Sequence, residues 1–296
     1  MMASLKTRIL LGISALMMSP VAAMADLGKP RNWQLGQQDS ASPVQDFVQS
    51  FHNWMLVLIT LIVLFVMGLL VYVMVRFNEK ANPVPSKTTH NSLIEVVWTL
   101  VPVLILAAVA IPSFKLLFMQ RIIPQADMTV KVIGNPSWNW TYEYPDLGVN
   151  EDKTTKVVFT SYLLPEDKAK ADNVPYLLAT DTPMVVPVNK TVKMIVTADP
   201  EGIIHSWGVQ AFGMQINAVP GRLNEDWFKA TQEGVFYGAC EELCGINHAY
   251  MPIEVWAVSE VNYKAWADLE LKQPKPAELA AFLKTIRPTA AKVASN

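Results

Sequence analysis

Cysteine is scarce in this chain: there are two in 296 residues, Cys240 and Cys244. At most one internal bridge could form, which excludes the disulfide framework of small exported domains. A four-cysteine zinc site is excluded as well. The C-x-x-C-H haem attachment motif does not occur, so no c-type haem is fused to the chain. Histidine is also rare, with four in all: His52, His90, His205 and His248. Charge is low at 17% of residues and the net value is −2, so there is no basic surplus to bind nucleic acid. Internal repeats and low-complexity tracts are missing too.

Apolar residues, at 51%, are abundant and unevenly spread. The first 25 residues carry Lys6 and Arg8, an apolar run, and then Ala23-Met24-Ala25, the layout of a secretory leader cleaved after Ala25. Residues Trp54 to Val75 contain no charge and reach the roughly 20 residues that a bilayer core requires. Val96 to Phe118 is similar, interrupted by two prolines and Lys115. Arg76, Lys80 and Lys87 lie between the two runs, opposed by Glu79. By the positive-inside rule this connection is cytoplasmic, which places both termini outside. The expected organisation is a leader (1–25), an outer N-terminal segment (26–50) and a transmembrane hairpin (51–118). An outer domain (119–262) and a helical or disordered tail (263–296) complete it. Acidic residues outnumber basic ones past Gln120, so the outer domain suits a basic partner steered by its field.

The outer domain reads as strands. "MTVKVIG", "WNWTYEY", "TKVVFTS", "KTVKMIVTA", "HSWGVQAF" and "IEVWAVS" are short β-branched or aromatic runs set between turn residues. Many short alternating runs predict an all-β sandwich or barrel. "LPEDKAKADNVPYL" interrupts them as an inserted loop. Trp138, Trp140, Tyr142 and Tyr144 share one strand face by period two. Only the tail, "VNYKAWADLELKQPKPAELAAFLKTI", has helical character, in two pieces divided by Pro274 and Pro276.

Both cysteines fall in "CEELCGINHAYM", which spaces Cys240, Cys244, His248 and Met251 by four, four and three. One reading is a disulfide staple. The other is a soft metal site, because two thiolates, an imidazole and a thioether select copper over magnesium or calcium. A closed zinc site rarely uses methionine. The pattern is that of a single-copper electron-transfer loop with a second cysteine added. Two thiolates can bridge two metals, and a second histidine is then needed. His52 and His90 flank the membrane segments, which leaves His205. Nothing nearby supplies a catalytic base or nucleophile, and an electron shared between two bridged ions changes bond lengths little. Electron carriage therefore fits better than bond chemistry.

"HSWGVQAFGMQINAVPGRLNE" followed by "YGACEELCGINHAYMPIEV" resembles subunit II of cytochrome c oxidase, the bacterial haem-copper type. The likeness runs from about Pro43 to Trp256. It implies a cupredoxin-like barrel carrying a binuclear copper A (CuA) centre. The implied ligands are His205, Cys240, Cys244, His248, Met251 and the Glu242 backbone carbonyl. The Glu242 carboxylate would hold magnesium or manganese shared with subunit I. Trp138 matches an electron-accepting tryptophan facing cytochrome c, and Glu95 a glutamate near a proton path into subunit I. Glu143 matches a docking acid, and Asp146, Glu151, Asp152, Asp199 and Glu201 are neighbouring candidates. The implied partners are cytochrome c, subunits I and III, and membrane lipid. The resemblance implies a two-pass protein of the bacterial inner membrane with a periplasmic copper domain. It also implies passage of electrons to haem for oxygen reduction coupled to proton pumping. Four positions depart from the family pattern. Asn139 replaces a frequent tyrosine, Gly202 an aspartate, and Gln215 and Asn217 a lysine and an acid. A membrane-anchored copper-delivery protein and a disulfide-bearing quinol oxidase subunit remain the competing classes.

Overall fold

The computed structural model describes residues 28–149, 154 and 156–288. The expected leader, Glu151, Asp152 and the last eight residues of the tail lie outside them.

Two long helices come first. Helix α1 spans Pro43–Arg76, and the Ser42 side chain caps it by accepting from the Gln45 amide at 3.0 Å. Proline at its first position costs nothing, because that amide has no partner inside a helix. Helix α2 spans Ser92–Arg121, capped by the Asn91 side chain, and carries Pro102 and Pro112 inside it. Both helices are long and apolar enough to cross a membrane, and their apolar faces lie open. At 34 residues α1 is about 50 Å long, so it overshoots a bilayer core of about 30 Å. Lys115 fits that overshoot: its ammonium lies 5.5 Å from the Phe47 ring, which precedes the charge-free run of α1.

Among the described residues ten strands follow: β1 (Met128–Asn135), β2 (Asn139–Glu143), β3 (Val158–Ser161), β4 (Met184–Pro187) and β5 (Val192–Ala198). The others are β6 (His205–Val209), β7 (Met214–Ala218), β8 (Asn224–Phe228), β9 (Gly234–Cys240) and β10 (Pro252–Val258). They form two five-stranded sheets, ordered β3-β2-β1-β5-β8 and β4-β10-β9-β6-β7. Strand β1 runs parallel to β5 and β10 parallel to β4, while the remaining pairs are antiparallel. One core joins the inner faces of both sheets and includes Trp140, Tyr142, Trp207, Phe228, Phe236 and Ile253. The expected cupredoxin-like sandwich is therefore present.

Two local expectations need correction. The polar "LPEDKAKADNVPYL" segment is not wholly loop: Glu166–Ala171 forms helix α3, whose Ala169 is buried. The aromatic face of β2 begins at Trp140, not Trp138. Trp138 sits in the preceding turn at φ +56°, and Asn139 is 3% exposed.

The tail folds as α4 (Glu260–Glu270) and α5 (Pro276–Ile286), as the two proline-divided pieces suggested. The Trp266 ring of α4 packs at a tilt, 4.9 Å from the Tyr144 ring, and burying such a ring stabilises the docked tail by about 2 kcal/mol. The barrel is tied to the hairpin at two places. The N-terminal strap is bound by Tyr237 N–H to the Gly28 carbonyl (2.7 Å) and Ala41 N–H to the Ala211 carbonyl (2.8 Å). On the other side, the Trp227 indole donates to the Met119 carbonyl of α2 at 3.2 Å.

Candidate metal centre

Three strand ends deliver the soft donors to one place. Cys240 ends β9 and His205 opens β6, and their antiparallel register pairs Trp207 with Cys240. The ladder continues through Glu241 N–H to the Ser206 carbonyl at 3.0 Å, holding the start of the loop against β6. The loop then turns through Cys244 and a short 3-10 segment at His248–Tyr250 before Met251 leads into β10.

The two thiol sulfurs lie 3.8 Å apart, far beyond the roughly 2.05 Å of a disulfide, and both cysteines are free. His205 Nδ1 is 4.0 Å from Cys240 Sγ, and His248 Nδ1 is 3.5 Å from Cys244 Sγ. Met251 Sδ is 3.6 Å from Cys244 Sγ. The Glu242 carbonyl oxygen approaches Cys240 Sγ to 3.3 Å while its carboxylate stays exposed. Donor atoms of His205, Cys240 and Cys244 fall within 4.8 Å of one another. His205 is fully buried, and burial lowers its pKa, so the imidazole is neutral and able to ligate. Its Nε2 has no hydrogen-bond partner. Burial, with the Cys240 thiol beside it, pushes the Cys244 thiol up to about 12. Burial disfavours the thiolates without a counter-ion, and a soft cation that took the place of their protons would suit this donor set.

The β1–β2 hairpin forms the floor of this cluster. The Trp138 indole donates to the Cys244 carbonyl at 3.0 Å. Gly245, at φ +114°, lets that ring close in, since an added Cβ would stand 3.3 Å from the indole. The Trp140 indole faces the Met251 carbonyl at 3.4 Å, and its ring meets His205 edge-on at 5.8 Å. A Cβ on Gly134 would lie 2.8 Å from the His205 ring. The sequence marks Trp140 only as one of an aromatic strand face, and Gly134 not at all, because the contacts are made across the two sheets.

The other expected residues are scattered. Glu95 lies far down α2, about 40 Å of helix from Arg121, where its carboxylate accepts from the Asn91 amide at 3.2 Å as a cap. Glu143 is paired with Lys131 at 3.1 Å. Asp146 accepts from the Thr129 amide, and Asp199 from the Glu201 amide at 2.9 Å. Glu201 itself is exposed. Gln215 and Asn217 face outward on β7, while Gly202 donates to the Asp199 carbonyl at 2.9 Å. Leu243 (80%) and Ile246 (86%) make the tip of the cysteine loop an exposed apolar surface.

Comparison with known proteins bears on this cluster. The family "Cytochrome C oxidase subunit II, periplasmic domain" matches residues 128–258, and its transmembrane-domain counterpart matches residues 30–116. Cytochrome c oxidase subunit 2 of Cereibacter sphaeroides is 46% identical over 259 residues, covering 82% of each chain. Probable cytochrome c oxidase subunit 2 of Rickettsia bellii is 44% identical over 238 residues, covering 80% of this chain and 84% of that one. The solved periplasmic domain of cytochrome oxidase subunit II from Bradyrhizobium japonicum is 42% identical. It covers 51% of this chain and 99% of its own, with a TM-score of 0.45.

Proposed function

Because the chain belongs to the cytochrome c oxidase subunit II family, we propose that its Cys240–Met251 loop and His205 hold the copper through which a terminal oxidase receives electrons. The single observation that carries this is the convergence of two unbonded sulfurs, 3.8 Å apart, with an imidazole on each side. Cys240, Cys244, His205, His248, Met251 and the Glu242 carbonyl would hold the copper, as a binuclear centre. Copper held there supplies one-electron storage with little structural change.

The chain's own residues do the rest. The sheet ends hold the donors rigidly, so no ligand needs to move when the charge changes. Trp140 and Gly134 keep the His205 ring in place. Trp138 links the outer surface to the Cys244 carbonyl and is the point where an electron from cytochrome c is accepted. Haem in subunit I would receive that electron for reduction of oxygen, coupled to proton pumping. The Glu242 carboxylate, exposed beside the copper loop, would hold magnesium or manganese against subunit I, with subunit III completing the assembly. Glu143, Asp146, Asp199 and Glu201, together with Glu151 and Asp152 by their place in the sequence, would meet a basic donor, and Glu95 would stand at a proton path. The hairpin crosses the bacterial inner membrane, with the copper domain and both termini on the periplasmic side and a leader removed after Ala25.

Electron paramagnetic resonance of the purified oxidase tests the centre. One unpaired electron spread over two copper nuclei is expected, and Cys240→Ser should abolish that pattern while the barrel remains folded. A single-copper signal in the unaltered protein would sink the binuclear reading.

A further inference from the structure

The turn that carries Trp138 is held in a conformation its own sequence does not favour. At φ +56° Trp138 occupies the left-handed region, where a bulky side chain crowds the backbone. Neither Pro136 nor Ser137 supplies packing to hold it, since both are exposed. The restraint comes from the next residue. Asn139 is 3% exposed, and all of its carboxamide contacts are made within the hairpin. Its Oδ1 accepts from Asn135 Nδ2 at 2.7 Å, while its Nδ2 donates to Ser137 Oγ at 2.7 Å and to the Ser137 carbonyl at 3.3 Å. Asn135 Nδ2 is anchored in turn on Thr141 Oγ1 at 2.8 Å, and Thr141 meets Thr160 of β3 at 2.9 Å. The Trp138 amide closes the loop on the Asn135 carbonyl at 3.1 Å.

With the turn held by this network, the indole reaches across Gly245 to the Cys244 carbonyl. We propose that Asn139 is a positioning residue for electron uptake. Its buried carboxamide ties Asn135 to Ser137, and so holds Trp138 in the left-handed turn that sets its indole against the copper loop. An apolar residue of similar size at 139 would break the buried link between Asn135 and Ser137, leaving Asn135 Nδ2 only Thr141 Oγ1 and freeing the exposed Ser137 to water. The turn would then relax toward ordinary φ and carry the indole away from Cys244. No docking acid and no donor atom of the copper ligands is altered, so the effect belongs chiefly to the rate at which an electron is accepted. In that step the donor haem loses one electron and the copper centre gains one.

The inference rests on the role proposed for Trp138, and the experiment separates the two. The purified oxidase complex is assembled with Trp138→Phe, Asn139→Ala or Ser137→Ala, and electron uptake from a c-type cytochrome is followed after rapid mixing. Asn139→Ala should lower the uptake rate at saturating donor by about tenfold or more. The donor concentration at half-saturation, the copper resonance pattern and the midpoint potential should stay as in the unaltered complex. Backbone hydrogen exchange at residues 136–138, read by mass spectrometry, should speed up in the same variant. Ser137→Ala sits on the exposed side and removes one acceptor without touching the core, so it should slow uptake in the same sense, to a lesser degree. Normal uptake in Trp138→Phe would overturn the parent reading. Slow uptake there with normal uptake in both Asn139→Ala and Ser137→Ala would overturn this inference alone. So would a loss confined to the half-saturating donor concentration, or an altered copper resonance in Ser137→Ala. Should Asn139→Ala fail to assemble, normal uptake in Ser137→Ala decides against the inference.

Discussion

The side chains that hold the cluster differ from those that build its walls. Cys240, Cys244, His248 and Met251 are visible as ligand candidates because their spacing places four soft donors in twelve residues. Gly134 is not visible in that way, because its importance arises only when β1 packs under His205. The distance of 2.8 Å from an added Cβ to the imidazole allows no methyl group unless the ring moves. Gly134→Ala should therefore weaken copper retention about 10- to 100-fold, the range typical of residues that orient metal ligands. The strand pairing should survive. A competition titration against a copper chelator, run beside far-ultraviolet circular dichroism, measures both. Undiminished copper retention in the folded variant would show that the ring has room to spare.

At the scale of elements, the tail is locked by one cation. Glu254 of β10 is 3% exposed, and its carboxylate accepts from the Thr180 amide and the Trp256 indole, both at 2.7 Å. Arg287, just past α5, brings its guanidinium to 3.8 Å from that carboxylate and 5.5 Å above the Trp256 ring. Burial raises the Glu254 pKa, and the hydrogen bonds and Arg287 act against that rise. Arg287→Ala removes a stacked and partly buried cation, so unfolding should become easier by about 1–2 kcal/mol. Arg287→Lys should recover only part of this, since a lysine cannot stack as a planar fork does. Thermal unfolding of the three proteins checks the order, and an unchanged midpoint in Arg287→Ala would show that the tail is held by its buried apolar side chains, Trp266, Leu283 and Ile286, without the cation. Helix α3 and the four strands β4, β7, β8 and β9 were not read from sequence. They are short or lack alternation, as in the fully buried β4, and short apolar runs are ambiguous between strand, turn and helix until neighbours pair with them.

For the whole molecule, the junction between hairpin and barrel matters most. A cleft of about 790 Å³ lies there, lined by Gln45, Gln120, Arg121, Arg222 and Asp226 among others. Burial pushes the Asp226 carboxyl up to about 6, and Arg121 opposes that rise. The folded chain therefore holds a proton that the unfolded chain releases near pH 4, so stability falls as pH rises from about 4 to about 6 and levels above it. Asp226→Asn removes this contribution, and its advantage over the unaltered protein should grow across that window and then stay constant. Unfolding midpoints of the two proteins at pH 4.5, 5.5 and 7 would show it, and a constant difference would refute it. The two long helices, the strand-rich domain, the two-piece tail and the ligand spacing were legible in the sequence, because composition and periodicity act locally. Tertiary structure alone decided that His205 reaches Cys240, that the sulfurs stay 3.8 Å apart, and that Asn139 and Gly134 face inward. Those facts depend on which strands pair and in what register, and register is set by long-range packing that no single segment encodes.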